Sequence, residues 1–256
     1  MLNFPNAKIN LGLFITSRLE DGYHTLETLF YPTNWCDILE ITENKNYSKS
    51  QPEVSFHLSG LSVDGPTNQN LCCKAYHLLK DKFNLPPIHI FLHKQIPTGA
   101  GLGGGSSDGA HTLLLLNNLF GLNISHEILS EYALKLGSDC PFFISNKPSF
   151  ATSKGEILNA APEILRGSFL VIIKPSIAIS TAMAYSMIKP EIPERKIAEI
   201  IAMPKEEWRH FLKNDFEKTI VKQFPQIEKL KTNLYQAGAY YASMSGSGSA
   251  VFGLFQ

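Results

Sequence analysis

A chain of 256 residues with 44% hydrophobic content can bury a substantial core and has room for one large or two modest domains. Lys plus Arg and Asp plus Glu number 23 each, so the formal charge is zero and no global field exists to attract nucleic acid or an anionic membrane. The opening Met1-Leu2-Asn3-Phe4-Pro5 lacks the basic and apolar regions of a secretion signal, and the four cysteines have neither disulfide density nor metal-ligand spacing, so a soluble cytoplasmic protein with reduced thiols is expected.

Ala7 to Ile15 alternates, with Ala7, Ile9, Leu11 and Leu13 on one face and Lys8, Asn10 and Gly12 on the other. The pattern predicts a strand with one buried face. Its polar face is either a solvated surface or room for a polar ligand. Asp21-Gly22 signals a hairpin turn. Tyr23 and His24 follow it, and these rings either bind a planar base or pack on the next strand. Ile38 to Thr42 and Val54 to Leu58 alternate as strands on either side of a polar loop. Asn70 to Phe83 predicts an amphipathic helix with Asn70 as N-cap and Leu71, Ala75, Leu78, Leu79 and Phe83 inward.

Ile88 to Leu92 reads as a strand, and Ala110 to Phe120 as a helix closed by Gly121. Between them lies Pro97-Thr-Gly-Ala-Gly-Leu-Gly-Gly-Gly-Ser-Ser-Asp108, with five glycines in the seven residues from Gly99 to Gly105. Glycine is poor packing material, so the run is expected to serve a ligand lying against its main chain. A strand, a glycine loop and a helix N-terminus together hold phosphate. A flexible linker would not sit between such elements. Gly99-x-Gly101-x-x-Gly104 matches the dinucleotide fingerprint only weakly, because the region after Leu119 offers Asn123 and no carboxylate before Glu127, and Gly-Lys-Ser/Thr is absent. A nucleoside triphosphate loop without its own lysine remains, and its cation must come from elsewhere.

Ser125 to Leu136 predicts a Ser-capped helix with Ile128, Leu129, Ala133 and Leu136 inward, ended by Gly137. Asp139 then stands before Cys140-Pro141, where it reads as a second N-cap, a role that leaves room for another. Past about residue 150, Ser168 to Lys174 reads as a continuous apolar strand. Glu206 to Phe211 and Gln226 to Ala237 read as helices, and Tyr240 to Met244 with Ala250 to Phe255 as a hairpin around Gly246-Ser247-Gly248. The expected division is residues 1–150 and 151–256.

Pro5-Asn6-Ala7-Lys8-Ile9-Asn10-Leu11, the glycine run to Asp108 and Ser243-Met244-Ser245-Gly246-Ser247-Gly248-Ser249 resemble, in order, the three motifs of the GHMP kinases. Asp21-Gly22-Tyr23-His24 and Gly137-Ser138-Asp139-Cys140-Pro141 narrow the likeness to the branch whose acceptor is a cytidine diphosphate methylerythritol. The resemblance implies an α+β, two-domain fold, with a ribosomal protein S5 domain 2-like N-terminal domain and a ferredoxin-like α+β C-terminal domain. It implies ATP and Mg²⁺ as cofactors, with no particular metal ligand assigned, and no nucleic-acid or membrane partner. By the same likeness the protein is a monomer or homodimer, and the chain stops at Gln256 where many family members continue. ATP would be held by Pro97, Gly99, Gly101, Leu102, Gly103, Gly104, Gly105, Ser106 and Ser107, with Asn70 and Lys94 near the adenosine. Asn70 and Lys94 are otherwise a cap and a surface charge. Lys8 and Asp139 would be catalytic. Asn10, Thr181 and Gly246 would orient the acceptor, with Tyr23, His24 and Tyr185 around its cytosine. Homoserine- or mevalonate-type kinases, and a silent nucleotide binder on the same fold, are the rival readings.

Overall fold

The computed structural model describes all 256 residues. Its first elements are β1 (Leu2–Asn3), β2 (Asn6–Arg18), β3 (His24–Cys36), β4 (Ile38–Glu43), β5 (Val54–Gly60), α1 (Leu71–Phe83) and β6 (Ile88–Lys94). There follow α2 (Gly104–Leu119), α3 (His126–Leu136), α4 (Cys140–Ser145), β7 (Ser149–Thr152), β8 (Ile157–Ala160), β9 (Phe169–Ile173) and α5 (Thr181–Ser186). The chain ends with α6 (Ile197–Ile201), α7 (Trp208–Phe211), α8 (Glu217–Gln223), α9 (Pro225–Gln236), β10 (Tyr241–Met244) and β11 (Val251–Phe255).

These elements form two compact units. The first comprises residues 1–7, 33–98 and 103–146, and the second comprises 8–32, 99–102 and 147–256. Residues 8–32 and 99–102 thus group with residues 147–256. The reason is pairing: β2 and β3 lie in a sheet with β7 and β8, ordered β2-β3-β7-β8.

In the first unit the sheet runs β1-β4-β6-β5, with β5 parallel to β6 and the other pairs antiparallel. Alternation in β6 turns Ile88, Ile90 and Leu92 inward, while Phe91 stays 41% exposed on the outer face. Helices α1 to α4 pack on one another, and α1 and α2 also meet strands of this sheet. Local chemistry sets their ends. Asn70 Oδ1 accepts from the Cys72 N–H at 2.9 Å to start α1, and Ser125 accepts from the Ile128 N–H to start α3. Each fully buried Leu or Ile contributes roughly 1.5–3 kcal/mol. Ile128, expected inward, is instead 45% exposed, because the face that α3 buries is the one through Leu129, Tyr132 and Ala133.

The second unit adds the sheet β10-β11-β9, antiparallel throughout, backed by α9. Its core gathers Leu13, Ile15 and Leu26 with Phe216, Ile220, Ile227, Met244 and Val251. Strand β9 has an apolar sequence but lies at the sheet edge, so Phe169 and Val171 face solvent. No helix is long and apolar enough to cross a membrane.

Candidate functional site

Strand β2 departs from its expected amphipathic form. Every residue from Asn6 to Leu13 is buried, Lys8 being 3% and Asn10 2% exposed. The polar side of the strand is thus inside, where an ammonium needs partners. Lys8 Nζ donates to Asn10 Oδ1 at 2.6 Å and to the Gly101 carbonyl at 3.1 Å, and it lies 5.0 Å from the centre of the Phe30 ring. Asn10 in turn donates to Thr28 Oγ1 at 3.0 Å, which donates to the Gly12 carbonyl. Lys8 thus reaches the main chain of the glycine loop, which has no lysine of its own.

Along the loop, Gly99, Gly101 and Gly103 have φ of +62°, +76° and +72°. Three successive carbonyls are anchored: Ala100 O by the Ala250 N–H, Gly101 O by the Ser245 hydroxyl at 2.8 Å as well as by Lys8, and Leu102 O by the Lys8 N–H. Helix α2 begins at Gly104, six positions ahead of the expected Ala110, and Gly103 caps it without a side chain. Its first amides therefore remain for another acceptor.

The glycines divide by what surrounds them, which corrects the expectation that none serves packing. A Cβ on Gly101 would stand 1.9 Å from the Ser245 carbonyl oxygen, and one on Gly104 2.8 Å from Ile96 Cγ2 and 3.2 Å from Lys94 Nζ. Those two glycines permit close approach of protein to protein. At Gly99 and Gly105 a Cβ would meet nothing within 4 Å, so these two border open space. Of the two serines, Ser107 is fully buried against His111, while Ser106 is half-buried and bonded to Cys140, whose thiol burial pushes up to about 12.

Lys94 is no surface charge: at 1% exposure it pairs with Asp37 and, at 2.8 Å, with Asp108. Asp37 Oδ1 also accepts from the Gln95 and Ile96 N–H groups, which binds the end of β6 to the start of the loop. Burial pushes Asp108 up to about 8, with Lys94 opposing and the Asp37 carboxylate adding to the rise. A cavity of about 260 Å³ opens beside this cluster, lined among others by Phe56, Asn70, Lys94, Thr98, Gly105 and Asp108. Asn70 is thus both the cap of α1 and part of a cavity wall, together with Lys94.

In the second unit His24 and Tyr185 stack with centroids 5.2 Å apart and planes at 28°, and Tyr185 meets Phe216 edge-on at 4.9 Å. Burial, then the nearby Arg18 charge, lowers the His24 pKa, which favours the neutral ring. Tyr23 is 62% exposed, and Lys154 Nζ sits 4.3 Å from its ring centre while pairing with Asp21 at 2.7 Å. Thr181 starts α5 and its hydroxyl reaches Ser247 at 3.1 Å, which brings it to the loop that carries Gly246. A Cβ on Gly246 would lie 3.4 Å from Asn10 Oδ1. Asp139, half-buried in the first unit, occupies the N-cap position of α4 before Pro141, but its side chain makes no capping hydrogen bond. Thr28, Asp37, Asp108, Lys154 and Ser245 were not picked out by sequence reasoning; only the position of Asp108 and Ser245 inside recognised motifs could have flagged them.

Comparison with known proteins agrees on one family. Residues 70–147 match the model for the GHMP kinases N terminal domain, and residues 188–256 that for the GHMP kinases C terminal domain. A 4-diphosphocytidyl-2-C-methyl-D-erythritol kinase of Bacteroides fragilis is 52% identical over 255 residues, covering 100% of this chain and 92% of that protein. A crystal structure of 4-(cytidine 5'-diphospho)-2C-methyl-D-erythritol kinase superposes with a TM-score of 0.80 at 32% identity, covering 99% of this chain and 90% of that one. The mevalonate kinase of Methanococcus jannaschii superposes with a TM-score of 0.72 at 16% identity, covering 100% and 90%, a likeness of fold alone.

Proposed function

The chain belongs to the GHMP kinases, and we infer that it transfers the γ-phosphoryl group of ATP to the 2-hydroxyl of 4-diphosphocytidyl-2-C-methyl-D-erythritol, a step of the non-mevalonate isoprenoid route carried out in the cytoplasm. The single observation that carries this choice of acceptor is the whole-chain likeness at 52% identity. The stacked His24 and Tyr185 pair supports it, since homoserine and mevalonate offer no base for such a surface.

Phosphoryl transfer asks for alignment and charge compensation rather than covalent chemistry. In this reading the first amides of α2 and the open faces of Gly99 and Gly105 receive the phosphates, with the Ser106 hydroxyl beside them. The cavity along Phe56, Asn70 and Lys94 takes the adenosine. Lys8 supplies the positive charge that the loop lacks, and its bond to Asn10 sets its direction. Asp139 takes the proton of the acceptor hydroxyl, a task for which a carboxylate must be held within hydrogen-bonding reach. Asn10, Thr181 and Gly246 orient the methylerythritol, while Tyr23, His24 and Tyr185 hold the cytosine. A divalent ion would accompany the nucleotide's phosphate oxygens. Mg²⁺ would offset the charge on those oxygens.

The test is ADP release with ATP and Mg²⁺ over four acceptors: the cytidylated methylerythritol, free methylerythritol, homoserine and mevalonate. Turnover is expected only with the first, and Asp139→Ala is expected to lower it by about 10²–10⁴-fold. Turnover of homoserine or mevalonate in its place would overturn the acceptor assignment, and an Asp139→Ala enzyme of undiminished rate would overturn the base.

A further inference from the structure

Lys213, Asn214 and Asp215, between α7 and α8, run parallel to β2 through one bridge at Leu13 and Asn214. The Leu13 N–H donates to the Lys213 carbonyl and the Asp215 N–H to the Leu13 carbonyl, each at 2.9 Å. The Ile15 N–H donates to Asp215 Oδ2, also at 2.9 Å. The segment is therefore fixed to the strand that carries Lys8 and Asn10.

Asn214 is 2% exposed and uses its whole amide. Nδ2 donates to the carbonyls of Met244 and Gly246, both at 2.8 Å, and Oδ1 accepts from the Phe216 N–H at 3.0 Å. Two carbonyls that flank one residue are thus drawn to a single nitrogen. The residue between them, Ser245, is fully buried and donates its hydroxyl to the Gly101 carbonyl at 2.8 Å, the oxygen that Lys8 Nζ also reaches. Gly246 is pressed so close that a Cβ there would stand 3.2 Å from Gly101 Cα.

We propose that Asn214 is a positioning residue for the phosphoryl transfer: anchored to β2, it grips the backbone on both sides of Ser245 and so sets the Gly101 carbonyl and the direction of the Lys8 ammonium. This rests on the roles given above to Lys8 and the glycine loop. With the grip lost, Ser245 leaves the Gly101 oxygen to Lys8, and the ammonium is drawn onto that carbonyl.

A purely structural asparagine would serve only to begin α8 through its bond to Phe216. Asn214→Asp separates the two roles, because it keeps the Oδ1 acceptor and removes both donated bonds. The measurements are kcat, the KM values and, by calorimetry, the Kd for ATP with Mg²⁺, all at about 20 °C, together with Tm. They are made on wild type, Asn214→Asp, Ser245→Ala, the double variant and Ile227→Ala, a destabilised control in the core of the second unit. Asn214→Asp is expected to lose about 10- to 100-fold in kcat and to weaken ATP binding severalfold, while the control keeps wild-type constants per folded molecule. The two losses should fail to multiply, because they act on one contact. Constants for Asn214→Asp within about twofold of wild type, or losses that multiply in the double variant, overturn the proposal. If Asn214→Asp does not fold, Asn214→Ser carries the same comparison. Assays use whichever acceptor the wild type turns over, so an error in the acceptor shows in the wild type and an error in the positioning role shows in the variants. The ATP affinity decides should no acceptor turn over.

Discussion

Asp108→Asn tests the claim that the glycine loop rests on a carboxyl that holds its proton near neutrality. Burial first, then the Asp37 carboxylate, raises Asp108 from the usual 3.8 to about 8, even though Lys94 stands 2.8 Å away. Between those two values the native protein keeps a proton that the unfolded chain has released. Stability then falls as pH rises, by about 1.36 kcal/mol per unit for one proton, and levels off above about pH 8. Asparagine mimics the protonated acid: its oxygen can still accept from Lys94, its amide faces Asp37, and it does not titrate. From about pH 6 to pH 7 the wild type should lose about 1 kcal/mol relative to the variant, or about 2–4 °C of Tm for a chain of this size. Thermal unfolding of both proteins by circular dichroism, in half-unit steps from about pH 5.5 to 8.5, gives the difference directly. Curves that run parallel through that range, or a wild type that gains on the variant with rising pH, would show Asp108 ionised throughout and refute the reasoning.

Two further outcomes separate packing from ligand contact. Gly105→Ala places a methyl in open space within the first turn of α2, so the apo protein should keep its stability or gain up to about 1 kcal/mol from helix propensity, while the KM for ATP rises. Gly104→Ala should instead lose about 1–3 kcal/mol by overpacking against Ile96, read as a lower denaturation midpoint. Tyr185→Ala, which removes the ring stacked on His24, should raise the KM of the acceptor about tenfold, in the range of base stacking on an aromatic side chain, and leave the KM for ATP within twofold; initial rates with each substrate varied in turn decide it.

What the sequence discloses and what it hides follow from the range of the forces involved. Asn70 and Ser125 start α1 and α3 by bonds to amides two and three residues on, so their signature is local and legible. The inward faces of β6 follow from alternation for the same reason. Lys8 is different. Set in an alternating run with Asn10 and Gly12, it looks like a surface lysine, and only Gly101, 93 residues away, makes it a buried one. Lys94 repeats the case with Asp37, 57 residues away. In both, a buried charge is tolerable only because distant groups meet it, and no spacing rule reports such a meeting. The glycine run misleads in the opposite sense. Its composition announces a ligand, yet glycine is also what lets two backbones touch, and only the surroundings show that Gly101 lies against Ser245 while Gly105 faces open space. Sequence marks the loop by its composition but cannot divide its glycines between two jobs. That division decides which substitution disturbs ATP and which disturbs the fold, so the Gly104 and Gly105 pair carries more information than the rest of the motif.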